Sequence, residues 1–345
     1  MPDPLLYSKA MAAAAGVSAL CLLALAAKGR KGNAAWLRFA SIAAIISGLV
    51  AGYYVLALRL HWPPETGLDR LLMILLPAAI VIELVAGFER LPRWLAWVLR
   101  GGLAAVSARI LLHGSVYLGS GSQHGSLLNV AAVLIVSAAL LLLVWGLLGS
   151  LARRSPGVSI PLALALTTQC AGATIMLAGY LAGGAAALPL AAALGAVAMV
   201  LGRVRPEADA QAAIGVGVVG LFGLVFIGRF FGALSTPCAV TLLLAPTLCW
   251  VTEIPLLKGR GPWTIGATRL AVVAIPLVVV LALAKRHFDQ KFAPLLGEKR
   301  SGSQSSASAE ITLGRPATGV GLLRIDFAQV SLVDLDSPAG VFRPQ

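Results

Sequence analysis

Residues 127–149 read LLNVAAVLIVSAALLLLVWGLLG and contain no charged side chain. Arg153 and Arg154 follow shortly after this run ends. An α-helix needs about 20 consecutive apolar residues to cross the hydrocarbon core of a bilayer, which is roughly 30 Å thick. The run is long enough, so it predicts a transmembrane helix that ends at a pair of arginines.

The composition of the whole chain indicates that lipid is its main solvent. Of its 345 residues, 59% are hydrophobic and 12% are charged, and the mean hydropathy is +0.89. A soluble domain has about 25% charged residues, so this chain has too few polar groups to cover a water-facing surface. The net charge of +13 would suggest nucleic acid in a soluble protein. Here the basic residues lie in short connections between apolar runs, so the lipid bilayer is the predicted partner and nucleic acid is not.

Apolar runs of spanning length occur along most of the chain. They predict an all-α fold, a polytopic transmembrane helical bundle of about ten spans. The runs 159–202 and 211–257 are each twice the length of a single span, and they are split near Gly183-Gly184 and Ser235-Thr236-Pro237, where turn-forming residues occur. The predicted spans are 10–27, 39–59, 71–88, 101–118, 127–149, 159–181, 184–202, 211–231, 237–257 and 264–284.

Basic residues are distributed unequally between alternate connections, which predicts the orientation of the chain. One set of connections carries thirteen lysines and arginines, and the other carries only Lys9, Arg59 and Arg70. The first set is predicted to be cytoplasmic in a bacterial-type plasma membrane, with the N-terminus outside. The thirteen residues are Lys28, Arg30, Lys31, Arg38, Arg90, Arg93, Arg100, Arg153, Arg154, Arg203, Arg205, Lys258 and Arg260.

The C-terminal region disagrees with this charge rule. By span parity residues 285–345 lie outside, although they begin with Lys285-Arg286-His287. The five earlier basic connections all fall on the same side when spans are counted in alternation. We follow that count, so both termini are predicted outside. The predicted organisation is a transmembrane domain at 1–284 and a polar, flexible C-terminal tail at 285–345. The tail is expected either to stay disordered or to order on a protein partner.

The first apolar run has two interpretations. It ends in small residues, as a cleaved signal peptide does. However, Lys28, Arg30 and Lys31 follow it directly, and charge in that position stops export. We therefore expect a retained span.

Three ionisable residues in the third and fourth spans form the main candidate site. At 1.5 Å per residue, Glu83 lies roughly 10 Å and Arg109 roughly 13 Å above the predicted cytoplasmic edge. Charges at membrane depth cost roughly 2.5–3.5 kcal/mol each on insertion scales, so each needs a partner or a cavity. We expect Glu83 and Arg109 to form an ion pair, with His113 on the same face as Arg109 at i+4. The pair is predicted either to line a solute or proton path or to lock two helices together.

The ninth and tenth spans repeat this pattern. Glu253 precedes an arginine by seven residues and a proline by nine, as Glu83 does, and Arg269 takes the place of Arg100. The match predicts a weak internal parallel repeat. Glu253 and Arg269 are therefore a second candidate pair, and the alternative is that both side chains snorkel to the interface.

Two polar residues in other spans complete the candidate binding or ion-pair residues. Gln169 falls about mid-membrane in the sixth span, where interhelical hydrogen bonding is commoner than solute contact. Arg229 lies near the outer end of the eighth span, a position suited to a lipid headgroup or an anionic solute. The same span carries a GxxxG pattern at 228–232, which is typical of close helix packing.

The sequence contains no motif for a cofactor, a metal site or a known catalytic centre. Its four histidines are scattered, and its four cysteines lie in apolar runs, where they are expected to pack. We therefore predict no metal, no cofactor and no catalytic residue, and a membrane-embedded enzyme is the third choice among the function classes.

Two function classes remain ahead of the enzyme. The leading hypothesis is a transporter of a small solute or ion, because of the predicted intramembrane charges and kinked spans. The rival is a non-catalytic membrane subunit or scaffold whose C-terminal tail docks a partner. A polar cavity that reaches Glu83 would favour transport, whereas a dry and fully paired Glu83 would favour the subunit.

Overall fold

The computed structural model describes residues 4–28, 34–58, 60–88, 92–115, 127–155, 157–204, 211–253 and 262–305. Within these ranges every regular element is a helix, which confirms the predicted all-α fold. The chain forms two compact units, Met1–Ala293 and Pro294–Gln345, and both candidate sites lie in the first. Of the predicted partner-docking tail at 285–345, residues 285–305 continue the last helix, and the residues from 306 onward lie outside the described part of the chain.

Ten helical segments in the described part follow the ten predicted spans. Two contain irregular geometry. The third, α3, consists of α-helix at Gly67–Arg70, a π-helical turn at Leu71–Leu75 and α-helix at Leu76–Ala86; the ninth, α9, consists of α-helix at Thr236–Leu244 and a 3-10 helix at Ala245–Glu253. The regular helices are α1 Pro4–Lys28, α2 Ala34–Val55, α4 Arg93–Leu112, α5 Leu127–Arg154, α6 Ser159–Leu177, α7 Leu181–Val204, α8 Gln211–Phe230 and α10 Pro262–Ser305.

Most of these segments have the length and composition of membrane spans. Among the described residues, nine helices are long and apolar enough to cross a bilayer, so the chain is a multipass membrane protein. The remaining segment is α3, which carries Asp69, Arg70 and Glu83 among its apolar residues. It starts with a capping box, in which the Thr66 hydroxyl accepts from the Asp69 amide and the Asp69 carboxylate accepts from the Thr66 amide.

The break between the sixth and seventh spans differs from the prediction. The chain turns at Gly179, whose φ of 89° lies in the left-handed region that glycine adopts without strain. The predicted break at Gly183-Gly184 lies inside α7, so that prediction is wrong. Gly184 instead allows α6 and α7 to approach closely, because a Cβ there would lie 2.5 Å from the carbonyl oxygen of Gly172. The predicted break at Ser235-Thr236-Pro237 is confirmed, since α9 begins at Thr236 with Ser235 as its N-cap.

Helix α8 forms the centre of the bundle. Every residue from Ala212 to Gly228 is buried, so this helix has no face toward lipid. Its glycines lie where neighbouring side chains press against its backbone. A Cβ on Gly220 would lie 2.4 Å from Leu190 of α7, and one on Gly223 would lie 2.2 Å from Leu71 of α3. The GxxxG pattern has the predicted packing role, since a Cβ on Gly228 would lie 2.7 Å from Ile175 of α6.

The last helix meets the bundle along a single stripe. In α10 the buried residues Arg269, Val273, Leu277 and Val280 recur at helical spacing, and Ile275 on another face is 66% exposed. A narrow stripe of this kind suits a helix at the edge of a bundle, with lipid on its other faces.

Exposed aromatic side chains lie near the ends of several helices. Tyr54 and Trp62 are exposed near the end of α2 and in the connection after it, while Trp94 and Trp263 are exposed at the starts of α4 and α10. Tyrosine and tryptophan are enriched at the two membrane–water interfaces. Their positions therefore agree with helices that cross one bilayer.

Candidate functional site

The main site is an ion pair between Glu83 of α3 and Arg100 of α4. The Nε of Arg100 donates to Oε1 of Glu83 at 2.9 Å, and Nη2 donates to Oε2 at 2.9 Å. This is the bidentate geometry that makes arginine–carboxylate pairs strong and directional. Both side chains are almost fully buried, with 3% of Glu83 and 10% of Arg100 exposed.

The predicted pair of Glu83 with Arg109 is wrong, because Arg109 lies on the other side of its helix. It follows Arg100 by nine residues, and nine steps of about 100° place the two side chains half a turn apart. Arg109 is exposed, whereas Arg100 is buried. His113 is also exposed, and its backbone carbonyl, as the C-cap of α4, accepts a hydrogen bond from Arg70.

Aromatic rings enclose the arginine of this pair. The guanidinium of Arg100 lies 5.4 Å from the ring centroid of Trp97 and 5.3 Å from that of Trp145, both within cation–π range. Trp97 belongs to α4 and the buried Trp145 to α5. The pair therefore connects three helices in surroundings that exclude water.

Two further helices shape the space around Glu83. Gly215 of α8 lies directly against it, since a Cβ there would be 2.4 Å from Oε1 of Glu83. Arg38 of α2 adds a second positive charge close enough to act on the carboxylate. Five helices thus meet at one buried carboxylate.

The second candidate pair, Glu253 and Arg269, is also an ion pair in the structure. Nη2 of Arg269 lies 3.1 Å from Oε1 of Glu253. The guanidinium also donates to the hydroxyls of Thr252 at 2.7 Å, Ser159 at 2.9 Å and Ser155 at 2.9 Å. Arg269 is 3% exposed, so the alternative in which it snorkels to the interface is wrong.

The two pairs have closely similar layouts. Each joins a glutamate on one helix to an arginine on the next, and the partners are 17 positions apart in the first pair and 16 in the second. Each also has tryptophan beside a nearby arginine, as the Arg154 guanidinium lies 5.3 Å from the Trp250 ring. The internal repeat itself stays a prediction, because similar contacts do not by themselves show a duplicated segment.

The remaining candidates contact neighbouring helices or adjacent turns. Nε2 of Gln169 donates weakly to the Met11 sulfur at 3.8 Å, which links α6 to α1. Arg229 is exposed, and its Nε donates to the hydroxyl of Thr236 at 2.8 Å, so it bridges the end of α8 and the start of α9.

Sequence reasoning missed the residues that complete the first site, namely Arg100, Trp97, Trp145 and Gly215. The sequence did contain a signal for Arg100. The repeat pattern aligns Arg100, and not Arg109, with Arg269. No sequence signal identified Gly215 or Trp145, because their role depends on how distant helices pack.

A small pocket lies away from both pairs. Its volume is about 120 Å³, and it lies between the end of α6, the connection from α8 to α9, and α10. No group of three or more histidine, cysteine or acidic residues in the described part is placed to hold a metal ion. The lining residues are Leu177, Ala178, Ala233, Leu234, Ser235, Cys238, Ala284, His287 and Phe288.

Comparison of the chain with known protein families, with characterised proteins and with solved structures finds no match. The chain itself shows an all-α, multipass membrane protein with spanning helices in the described part. Its main polar features inside that bundle are the two ion-paired hairpins, α3 with α4 and α9 with α10.

Proposed function

We propose that this chain is a non-catalytic membrane subunit whose intramembrane charges hold helices together. The main support for this role is the Glu83–Arg100 ion pair, in which both carboxylate oxygens accept hydrogen bonds from one guanidinium. A carboxylate that binds and releases a solute or proton has to exchange partners during the cycle. Glu83 is instead paired, buried and covered by the α8 backbone at Gly215.

The second pair supports the same role. Arg269 has hydrogen-bond partners on α9, on α6 and in the connection before α6, so it fixes the start of α10 against the bundle. Replacing the acid or the base of a buried pair leaves the other charge without its partner, which is strongly destabilising. Both sites therefore suit a scaffold that keeps one arrangement of its helices.

The outer helices offer surface for such a role. α1 is fully buried only along Ala10, Ala14, Ser18 and Leu22, and exposed side chains such as Leu5, Leu20 and Leu23 leave surface open to lipid or to helices of a partner. In a bacterial-type plasma membrane, a subunit would pack part of this surface against other chains of its assembly. The lipid bilayer covers what remains.

Assembly in the native membrane tests the proposal. Membranes are solubilised in a mild detergent, and the mass of the particle that contains the chain is measured by native mass spectrometry. We expect one assembly of fixed composition, larger than this 35.5 kDa chain. A particle that contains only this chain under all mild conditions would contradict the subunit proposal.

Transport of a small solute or ion is the second candidate. The irregular segments favour it, because a π-helical turn at Leu71–Leu75 and a 3-10 helix at Ala245–Glu253 interrupt two helices within the bundle. Such interruptions often mark functional hinges, and backbone of this kind is tolerated at membrane depth only inside protein.

Flux measurements separate the two candidates. The purified chain is reconstituted in proteoliposomes, and uptake of protons, inorganic ions and small metabolites is compared between the wild type and Glu83→Gln. Glu65→Gln, in an exposed connection, is the matched control. A flux that Glu83→Gln abolishes while it keeps the wild-type melting temperature, and that Glu65→Gln preserves, would support transport and overturn the structural role of Glu83.

A further inference from the structure

Two arginines at the end of α5 form an exposed basic site. Arg153 and Arg154 are adjacent and exposed, at the C-terminal end of a helix that is otherwise apolar. The Arg154 guanidinium lies 5.3 Å from the ring centroid of Trp250. The Trp250 ring is itself held in place, because its Nε1 donates to the carbonyl of Leu147 at 3.0 Å. The site therefore has a fixed aromatic platform and two positive charges.

The contact with Trp250 leaves the arginine free to bind an anion. A cation–π contact engages the charge of the guanidinium and does not use its N–H groups as hydrogen-bond donors, and those donors match the oxygens of a phosphate. The nearby Glu253 carboxylate is bound by Arg269. Among the described residues around Trp250, the Arg154 charge is therefore available for an anionic group.

The surface of α5 beyond the arginines is apolar and exposed. Leu143 and Val136 precede Arg154 by 11 and 18 residues, which places all three on one face of the helix. Ile135 shares a face with Arg153 in the same way. These three side chains are 50%, 55% and 68% exposed. A charged end followed by an apolar stripe matches a molecule with an anionic head and hydrocarbon chains.

The dimensions of the stripe also fit. Leu143 lies roughly 16 Å along the helix axis from Arg154, at 1.5 Å per residue. One leaflet of the bilayer contributes roughly half of the 30 Å hydrocarbon core. The segment from Leu143 to Arg154 thus has the length of an acyl chain that starts at the arginines, whereas Val136 and Ile135, roughly 27 Å from them, lie beyond that leaflet.

We propose that Arg153, Arg154 and Trp250 bind the phosphate headgroup of an anionic phospholipid whose acyl chains lie along the exposed face of α5. Basic residues at the membrane surface are attracted to anionic lipids, and the fixed ring adds geometry to that attraction.

A titration with defined lipids tests the proposal. The purified protein in neutral phosphatidylcholine micelles is titrated with short-chain phosphatidylglycerol, and the rise in melting temperature gives an apparent dissociation constant. We expect saturable stabilisation of the wild type. The double variant Arg153→Gln/Arg154→Gln should bind about 30-fold more weakly, since each arginine near the surface contributes roughly fivefold.

The matched control removes two charges elsewhere. Lys28→Gln/Arg203→Gln changes two exposed basic residues at the ends of α1 and α7 and should keep the wild-type affinity. If the double variant does not fold, each single variant is titrated, with about fivefold weakening expected for each. Equal weakening in the control pair, or equal stabilisation by inorganic phosphate alone, would overturn the proposal of a lipid site.

Discussion

The stability of the buried ion pair between Glu83 and Arg100 depends on its geometry and on the groups around it. Removing two charges from water costs several kcal/mol for each ion, and a pair recovers this cost only with good geometry and further contacts. The bidentate contact, the two tryptophan rings and the Arg38 charge supply those contacts. The pair is therefore stable as a unit and unfavourable when either partner is missing.

Arg100→Met tests the pair at the scale of single residues. The substitution leaves the Glu83 carboxylate buried without its guanidinium, so we expect a loss of about 3–5 kcal/mol in stability, seen as a lower melting temperature in detergent. The double variant Glu83→Met/Arg100→Met should regain most of that loss, because an apolar pair of similar volume has no unpaired charge.

Arg109→Met is the matched control for this cycle. Its side chain is exposed, so we expect a change within about 0.5 kcal/mol. A loss at Arg109 as large as that at Arg100 would contradict the assignment of the partner of Glu83.

Only part of the Glu83 site was predictable from the sequence. The buried position of Glu83 near one end of its span was predictable, because apolar runs and loop charges fix depth. The partner was not, because depth alone does not determine which face of α4 points inward. The inward face of α4 depends on how α5 and α8 pack, because these helices place Trp145 and Gly215 beside the pair.

At the scale of elements, glycine determines how closely the helices approach. Gly172 and Gly184 face each other where α6 and α7 form a hairpin, and the contact involves backbone atoms that cannot move aside. Small residues are used in this way between membrane helices, where packing replaces much of the hydrophobic driving force. The sequence indicated a turn at Gly184, because glycine is favoured both in turns and at close contacts between helices.

Gly184→Ala tests this contact. The added Cβ would lie 2.4 Å from Cγ of Met176 and 2.5 Å from the carbonyl oxygen of Gly172. We expect a loss of roughly 1–3 kcal/mol from overpacking, measured as a lower melting temperature. Gly102→Ala on α4 meets nothing within 4 Å and should be neutral or stabilising by up to about 1 kcal/mol. Equal effects of the two substitutions would contradict the close α6–α7 contact.

At the scale of the whole molecule, the sequence predicted the architecture well. Each of the ten apolar runs corresponds to a helical segment, because a bilayer admits few alternatives to a helix for a run of this length. The irregular turns in α3 and α9 were not predictable, since they depend on packing inside the bundle. The orientation stays a prediction that rests on the distribution of basic residues between connections.

We predict that the chain crosses the bilayer ten times, with both termini outside the cytoplasm. Paired fusions test it most directly, with a phosphatase that is active only outside and a fluorescent protein that folds only in the cytoplasm. We expect phosphatase activity for fusions in the 60–66 connection and after Gln345, and fluorescence for fusions in the 205–210 connection. Fluorescence after Gln345 would show an even number of crossings between the 205–210 connection and the C-terminus, where ten spans require three, and would contradict the ten-span topology.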